Sequence, residues 1–277
     1  MKKITVGIIG GTGQMGKFFA RFFKNNGCKV LVSSRKSKLK PKDCAKSSDV
    51  VIVSVPIVSV VKVIKDVSPH IDKNSLLIDT TSIKKEPVDA MLRFSKCEVI
   101  GMHPVFGPNV SSLKNQTIVL CPVRSKKWIK WIKNIFQRNG AKLKITTPEK
   151  HDEMMSIIQG LNHFTALSFI YTMKKLNVTI KDSIEYSSPL YKLRMLAAGK
   201  ILNQSPRLYA GIEIENSKNK KVLAAYLESA KKLQRIVEKG STEEFLRYFD
   251  ECSEFLGDFK KDAEEISDYL IEEIAKL

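Results

Sequence analysis

The stretch from Ile4 to Gly16 reads ITVGIIGGTGQMG, and it decides the fold predicted for the first half of the chain. A short β-rich apolar run leads into Gly11, Gly13 and Gly16, which fill the G-x-G-x-x-G template, and a helical pattern follows. In this context the glycines permit a tight turn, a close approach of pyrophosphate to the backbone, and close packing of helix on strand. The stretch therefore predicts a dinucleotide-binding Rossmann unit, with loop contacts from Gly11, Thr12, Gly13, Gln14, Met15 and Gly16.

The end of the second predicted strand indicates which dinucleotide binds. An NAD enzyme presents an acidic residue there to the ribose 2′-hydroxyl, whereas this chain continues with Ser33, Ser34, Arg35 and Lys36. An acid would repel a 2′-phosphate, while hydroxyls and a guanidinium would bind one. We therefore expect NADP as the preferred cofactor and NAD as the alternative, with Ser33, Ser34 and Arg35 in the cofactor site.

Composition and charge limit the classes of protein that fit. The 277 residues are 43% hydrophobic, which suits two domains or one large one. The formal net charge of +18 is compatible with a nucleic-acid partner, but the lysines are spread along the whole chain. No aromatic-basic cluster of the kind that binds single strands accompanies them, so we expect no nucleic-acid partner. Basic charge would also attract anionic substrates.

The cysteines and apolar runs give expectations about metal, redox state and membrane. Five cysteines lie far apart without a C-x-x-C pair, which argues against a zinc site or a disulfide framework. We expect no metal and mostly buried, reduced thiols. The longest apolar run, Val50 to Val61, is interrupted by Pro56 and is too short to span a bilayer. Without a recognisable signal peptide, the expectation is a cytoplasmic protein that does not bind a membrane.

Strand and helix patterns alternate through the first half and predict a mostly parallel, doubly wound α/β sheet. After Thr147 the β patterns disappear, and Pro148 stands where the first turn of a helix would begin. The predicted domains are residues 1–147, a Rossmann domain, and residues 148–277, an all-helical domain. Segments 222–237 and 245–259 carry apolar residues on more than one helical face, so we expect the helical domain to form a homodimer.

Three segments follow predicted strands, at the edge where such sheets bind ligands. They are Ser54-Val55-Pro56, which we expect to contact the cofactor, residues 79–84, and residues 101–108. The last contains two prolines and two glycines around His103, which predicts a stiff loop presenting a functional histidine.

Two further histidines begin the helical domain. Gln159 and His163 are four residues apart, on one face of a predicted helix, and His163 fits a functional or a hydrogen-bonded core histidine equally well. His151 is interpreted as a residue near the surface at a helix start.

Together these motifs resemble the prephenate dehydrogenase family, in particular the dehydrogenase half of the enteric bifunctional T-proteins. The resemblance covers nearly the whole chain, and its motifs are the glycine loop, Ser82-Ile83-Lys84, His103-Pro-Val-Phe-Gly-Pro108, His151-Asp152, Ile158-Gln159, His163-Phe164, Ser187-Ser-Pro189, Gly199-Lys200 and Phe255-Leu-Gly-Asp-Phe259. We expect no chorismate mutase bundle before this part and no regulatory domain after it.

The resemblance implies a reaction in tyrosine biosynthesis: prephenate and NAD(P)+ give 4-hydroxyphenylpyruvate, carbon dioxide and NAD(P)H. It implies that His103 hydrogen-bonds the ring 4-hydroxyl and stabilises charge as hydride leaves. Ser82 would orient His103 and approach the nicotinamide, and Lys84 would line the substrate and cofactor pocket. His163, and with it Gln159, would contact the substrate from the helical domain.

One position departs from the family pattern. The family's arginine for the substrate carboxylate is replaced by Lys200, which keeps the charge but loses the two-point contact. Arg194 lies six residues earlier, about 120° round the helix, and is a poor substitute.

Alternative functions remain open from the sequence. Arogenate carries an amine where prephenate has a keto group, and residues 103–116 contain no acid to pair with it, which favours prephenate. A deazaflavin-dependent NADP reductase would share Gly10–Gly13 and Ser34-Arg35 but would not be expected to carry residues 103–108 as they stand here. An NADPH-binding sensor without activity and a nucleic-acid-binding protein are the non-enzyme alternatives.

Overall fold

The computed structural model describes residues 3–276, which divide into two compact units. The first unit comprises the described residues up to Ser156 together with Ala210–Ser217. The second comprises Ile157–Tyr209 and the described chain from Lys218 onward. Each unit is described separately below.

A seven-stranded sheet in the order β2-β1-β3-β4-β5-β6-β7 forms the centre of the first unit. Strands β1 to β5 are parallel, and β6 runs antiparallel to β5 and parallel to β7. This arrangement confirms the mostly parallel, doubly wound sheet. The strands are β1 (Thr5–Ile9), β2 (Lys29–Ser33), β3 (Val50–Val53), β4 (Leu76–Asp79), β5 (Glu98–Pro104), β6 (Thr117–Arg124) and β7 (Lys142–Ile145).

Helices cover both faces of this sheet because successive strand residues point to opposite sides. Val50 and Ile52 join a core with apolar residues of α1 and α5, whereas Val51 and Val53 join a second core with residues of α3 and α4. The helices of this part are α1 (Gln14–Asn25), α2 (Pro41–Lys46), α3 (Ile57–Val67), α4 (Lys85–Phe94), α5 (Trp128–Arg138) and α6 (Pro148–Met155), with a 3₁₀ turn at Ser68–His70. The short α2 has no counterpart in the sequence prediction.

The rest of the described chain is helical, as predicted. A π-helical turn (Ser156–Leu161) follows α6. The helices after it are α7 (Asn162–Lys175), α8 (Ile180–Glu185), α9 (Pro189–Leu202), α10 (Pro206–Glu215), α11 (Asn219–Lys239), α12 (Thr242–Leu256) and α13 (Phe259–Ala275).

The boundary between the compact units lies later in the chain than the predicted boundary at Thr147. Helix α6 packs against α4 and β6, so it belongs with the sheet. Ala210–Ser217 also belongs there, because Ile212 packs against Ile57 and Ile83.

Cys28, Cys44, Cys97 and Cys121 are buried, as expected, and Cys252 is exposed. Burial raises the pKa of Cys121 to about 12 and that of Cys44 to about 11, so both thiols stay protonated at neutral pH. Within residues 3–276, no helix has both the length and the apolar character needed to cross a bilayer.

Candidate active site

His103 lies inside strand β5 and not in the stiff loop that the sequence predicted. That prediction is wrong because β5 continues to Pro104, where it pairs with β6 through His103 opposite Val119 and Pro104 opposite Ile118. The side chain is 3% exposed. A rigid central strand therefore holds the candidate catalytic histidine near its carboxyl end.

His151 contacts His103 directly. Nδ1 of His103 lies 2.8 Å from Nε2 of His151, and the two rings meet edge to face. His151 is 1% exposed, so its interpretation as a surface residue is wrong. The physical reason is that α6 packs on α4 and β6 and carries His151 on its inner face.

Asp152 continues this chain of contacts. Its Oδ1 lies 2.8 Å from Nδ1 of His151 and also accepts a hydrogen bond of 2.7 Å from the backbone N–H of Lys84. Its Oδ2 accepts from the N–H of Lys85 at 2.9 Å. These donors begin α4, which has no capping side chain of its own, so Asp152 caps that helix. The positive end of the helix stabilises the carboxylate charge.

Lys84 is fully buried and its ammonium is engaged inside the first unit. It forms an ion pair with Asp79 and donates to the carbonyl oxygen of Met102 at 3.0 Å. Asp79 Oδ2 also accepts from the N–H and hydroxyl of Thr81. These partners account for the buried ammonium, and the role that the resemblance implied for Lys84 in the substrate and cofactor pocket stays a prediction.

Gly101 makes room for the Lys84 stem. A Cβ added at Gly101 would lie 2.7 Å from Val88 Cγ2 and 3.1 Å from Lys84 Cδ. A side chain at position 101 would therefore crowd Val88 and the Lys84 stem.

The pKa values of the two histidines suit a base at neutral pH. Burial lowers the pKa of His103 well below its ordinary value of 6.5, with further lowering by His151 and Lys84. Burial also lowers the pKa of His151, although Asp152 opposes that shift. Both imidazoles are therefore neutral near pH 7.

Ser82 lies in the segment between β4 and α4 and is partly buried. It forms no hydrogen bond with His103 in the described part of the chain, and the contact that orients Nδ1 comes from His151. An orienting role for Ser82, and its approach to the nicotinamide, stay predictions.

The glycine loop has the geometry that a pyrophosphate needs. The N–H groups of Gly10 and Gly11 bond to the carbonyl of Ser33, which fixes the loop between β1 and α1. A Cβ at Gly16 would lie 2.6 Å from Gly11 Cα, so the close approach of helix to loop requires glycine there. The N-cap Gly13 supplies no side-chain acceptor to the first turn of α1, where Gln14 and Met15 stand. That turn fits an anion.

The basic segment after β2 is arranged differently from the prediction in one respect. Ser33 is buried, and its hydroxyl donates to Leu39 O at 2.8 Å, so its side chain does not face a 2′-phosphate. Its backbone carbonyl oxygen accepts the hydrogen bonds from the glycine loop. Ser34 is partly buried in the following turn, and Arg35 and Lys36 are exposed.

Ser54, Val55 and Pro56 leave β3 beside the glycine loop. The N–H of Ser54 donates to Ile9 O at 2.8 Å, and Pro56 is the N-cap of α3. This position agrees with their expected place at the ligand-binding edge, and their contact with a cofactor stays a prediction.

The remaining predicted site residues belong to the second unit. Gln159 lies in the π-helical turn, so a shared face with His163 no longer follows from α-helical spacing. His163 is buried with its ring 4.7 Å from that of Tyr209. Lys200 is exposed on α9, and the guanidinium of Arg194 lies over the Phe169 ring at 4.0 Å. Their contact with a substrate stays a prediction.

Sequence reasoning did not assign His151, Asp152 or Asp79 to the candidate active site. His151-Asp152 was visible as a motif of the resemblance. Neither periodicity nor composition showed that the pair is buried against His103.

Two family models match this chain. Residues 19–145 match the prephenate dehydrogenase nucleotide-binding domain, and residues 147–251 match the prephenate dehydrogenase dimerization domain. The chain is 38% identical to a probable arogenate/prephenate dehydrogenase of Methanocaldococcus jannaschii, over 99% of this chain and 67% of the relative. It is 30% identical to the T-protein of Haemophilus influenzae, over 92% of this chain and 67% of the relative.

Solved structures share the fold. Prephenate dehydrogenase of Aquifex aeolicus, in complex with hydroxyphenyl propionate and NAD+, aligns with a TM-score of 0.75 and 20% identity over 91% of this chain and 97% of that one. Arogenate dehydrogenase of Synechocystis aligns with a TM-score of 0.71 and 16% identity over 93% of this chain and 99% of that one. With the family models and the curated relatives, these findings lead to one conclusion: the chain belongs to the prephenate dehydrogenase family of oxidoreductases.

Proposed function

We propose that this protein oxidatively decarboxylates prephenate to 4-hydroxyphenylpyruvate, with hydride transfer to NADP+ in preference to NAD+. The observation that carries the proposal is His103: it is buried, neutral at pH 7, and held through Nδ1 near the carboxyl end of β5. Its Nε2 has no hydrogen-bond partner among residues 3–276, so it can accept a substrate proton.

In the proposed reaction, Nε2 of His103 first accepts a proton from the substrate and later returns it to the product. The proton of the ring 4-hydroxyl moves to His103 Nε2 while the hydrogen on the same carbon leaves as hydride. The bond to the ring carboxylate then breaks, carbon dioxide departs, and the released electron pair completes the aromatic ring. His103 returns its proton to the phenolate oxygen. Aromatisation makes the step effectively irreversible.

The first unit contains residues that fit the dinucleotide. The glycine loop at Thr12 and Gly13 and the first turn of α1, with Gln14 and Met15, would hold the pyrophosphate. Ser54, Val55 and Pro56 would lie beside it. Bound there, the nicotinamide cofactor supplies the hydride acceptor.

An assay with two substrates and two cofactors tests the proposal. Purified protein is mixed with prephenate or arogenate and with NADP+ or NAD+, and reduced cofactor is followed by absorbance. We expect turnover with prephenate and NADP+. Arogenate is the second candidate, because the M. jannaschii relative is named for both substrates. Cofactor binding without turnover of either substrate would instead support the alternative of an NADPH-binding sensor without catalytic activity.

The cofactor preference leads to a prediction for Arg35. Because Arg35 is exposed after β2 where an acid would select NAD, Arg35→Ala should raise the KM for NADP+ by roughly 10- to 100-fold, the loss of one charge-assisted hydrogen bond. The KM for NAD+ should change little. Lys46→Ala, an exposed lysine at the end of α2, is the matched control. A wild-type enzyme that prefers NAD+ would contradict this assignment.

Lys200 carries a separate prediction for substrate binding. If its ammonium holds the substrate carboxylate, Lys200→Ala should raise the prephenate KM at least about tenfold with little change in kcat, since ground state and transition state lose the same contact. Lys200→Arg should be tolerated because a guanidinium restores a two-point contact. An unchanged KM in Lys200→Ala, beside a large increase in Arg194→Ala, would transfer the role to Arg194.

We further propose a homodimer formed through the helical part. Large apolar side chains on α12 and α13 are exposed in the single chain, with Phe255 at 91% and Phe249 and Phe259 at about 60%. Such a surface favours a partner of the same kind. The match of residues 147–251 to a dimerization domain supports this assembly.

A further inference from the structure

We propose that His151 and Asp152 are positioning residues that fix the tautomer of His103, so that Nε2 of His103 is always the proton acceptor. This inference rests on the proposed function and assigns two residues of its site. All three side chains belong to the first unit and are at least nine-tenths buried.

The direction of each hydrogen bond follows from Asp152. Both carboxylate oxygens of Asp152 accept hydrogen bonds from backbone N–H groups at the start of α4, so the carboxylate acts only as an acceptor. His151 must therefore place its single proton on Nδ1, 2.8 Å from Asp152 Oδ1. Nε2 of a neutral His151 is then without a proton and accepts.

The same argument shows which ring nitrogen of His103 carries the proton. The contact of 2.8 Å between His103 Nδ1 and His151 Nε2 needs one proton, and His151 Nε2 has none to give. His103 Nδ1 must donate it. The lone pair of His103 is therefore on Nε2, the nitrogen that no described residue engages.

This arrangement also serves the reaction itself. When Nε2 of His103 takes the substrate proton, the ring becomes a cation, and its Nδ1–H bond to His151 becomes charge-assisted. The carboxylate of Asp152 lies beyond His151 and balances the new charge. In hydrolase triads, loss of the carboxylate that holds a histidine tautomer lowers kcat by up to about 10⁴-fold.

Three variants separate positioning from packing. His151→Leu keeps apolar volume but removes the acceptor, and we expect kcat to fall by about 10²-fold or more with little change in the prephenate KM. His151→Gln offers an amide oxygen to His103 Nδ1 and should recover most of that loss. Asp152→Asn removes the carboxylate charge that balances the His103 cation and leaves the Lys85 N–H without its acceptor, and it should lower kcat as well. His70→Gln, at an exposed histidine, is the control.

A spectroscopic measurement tests the inference without turnover. The chain contains four histidines, so side-chain ¹⁵N NMR of the apo protein at pH 7 can be assigned with the single variants. We expect His103 and His151 to be neutral with the proton on Nδ1 in the wild-type protein, and His103 to populate both tautomers in His151→Leu, where its Nδ1 has lost the acceptor. A folded His151→Leu protein with kcat and pH profile unchanged, or a wild-type His103 protonated on Nε2, would overturn the inference. If the tautomers are as expected and neither prephenate nor arogenate turns over, the proposed function fails and the positioning role of the pair stands.

Discussion

Replacing His103 with asparagine or alanine should lower kcat by about 10²- to 10⁴-fold, the usual contribution of a positioned acid or base. The reason is the lost acceptor for the 4-hydroxyl proton, since no second described group stands at Nε2. Steady-state kinetics with prephenate measure the loss. Cofactor affinity, followed by NADPH fluorescence, should stay unchanged because the glycine loop lies on other elements.

The pH dependence of the wild-type enzyme gives an independent check on His103. The base works only in its neutral form, so kcat/KM should fall when the pH drops through the pKa of His103. Burial lowers that pKa well below 6.5, so the acidic limb should lie below pH 6.5. Near-normal turnover in the His103 variants, or an acidic limb above pH 6.5, would place the base elsewhere.

Local patterns were sufficient for the framework of the first unit. The apolar runs at β1, β3 and β4 and the glycine loop depend on nearest neighbours in sequence, and each lies where it was predicted. The end of β5 could not be predicted in this way. His103 and Pro104 join the strand only because β6, more than ten residues later, pairs with them.

The site could be predicted only where a side chain's role follows from its own segment. His103 was singled out by its loop-like surroundings and by a position just after a predicted strand. Both expectations were wrong, because His103 lies within β5, near its carboxyl end. The burial of His151 depends on how α6 packs, and no helical periodicity over one turn reveals it. The hydroxyl of Ser33 bonds to the carbonyl oxygen of Leu39, only a few residues later, because the loop after β2 folds back on the end of that strand, and a β pattern does not reveal that loop conformation.

Lys84 shows the same limit most clearly, because lysine is almost never fully buried without a partner. Its partner Asp79 lies only five residues away, but on a strand whose side chains alternate between the two faces of the sheet. The ion pair therefore required the sheet, and Gly101 on the neighbouring strand, before it could be recognised.

Lys84→Met should destabilise the protein by about 3–5 kcal/mol, because it leaves the buried carboxylate of Asp79 without its cation. For a unit of this size, a loss of 1 kcal/mol lowers Tm by roughly 2–4 °C, so thermal unfolding should shift by about 6–20 °C. The exposed neighbour gives the control: Lys85→Met removes a solvent-exposed i,i+4 pair with Asp89 and should leave the Tm nearly unchanged.

A double variant separates the lost pair from the lost side chain. Asp79→Leu combined with Lys84→Met removes both charges, and it should recover part of the stability, because neutral replacement of a buried pair avoids an uncompensated charge. Recovery should be incomplete, since Thr81 and Met102 lose hydrogen bonds as well. Calorimetry on the wild type, the single variants Asp79→Leu and Lys84→Met, and the double variant gives the coupling free energy between the two side chains. If Lys84→Met instead keeps the wild-type Tm and raises the prephenate KM, the ammonium contacts substrate as the family resemblance implied, and the buried pair is not its principal role.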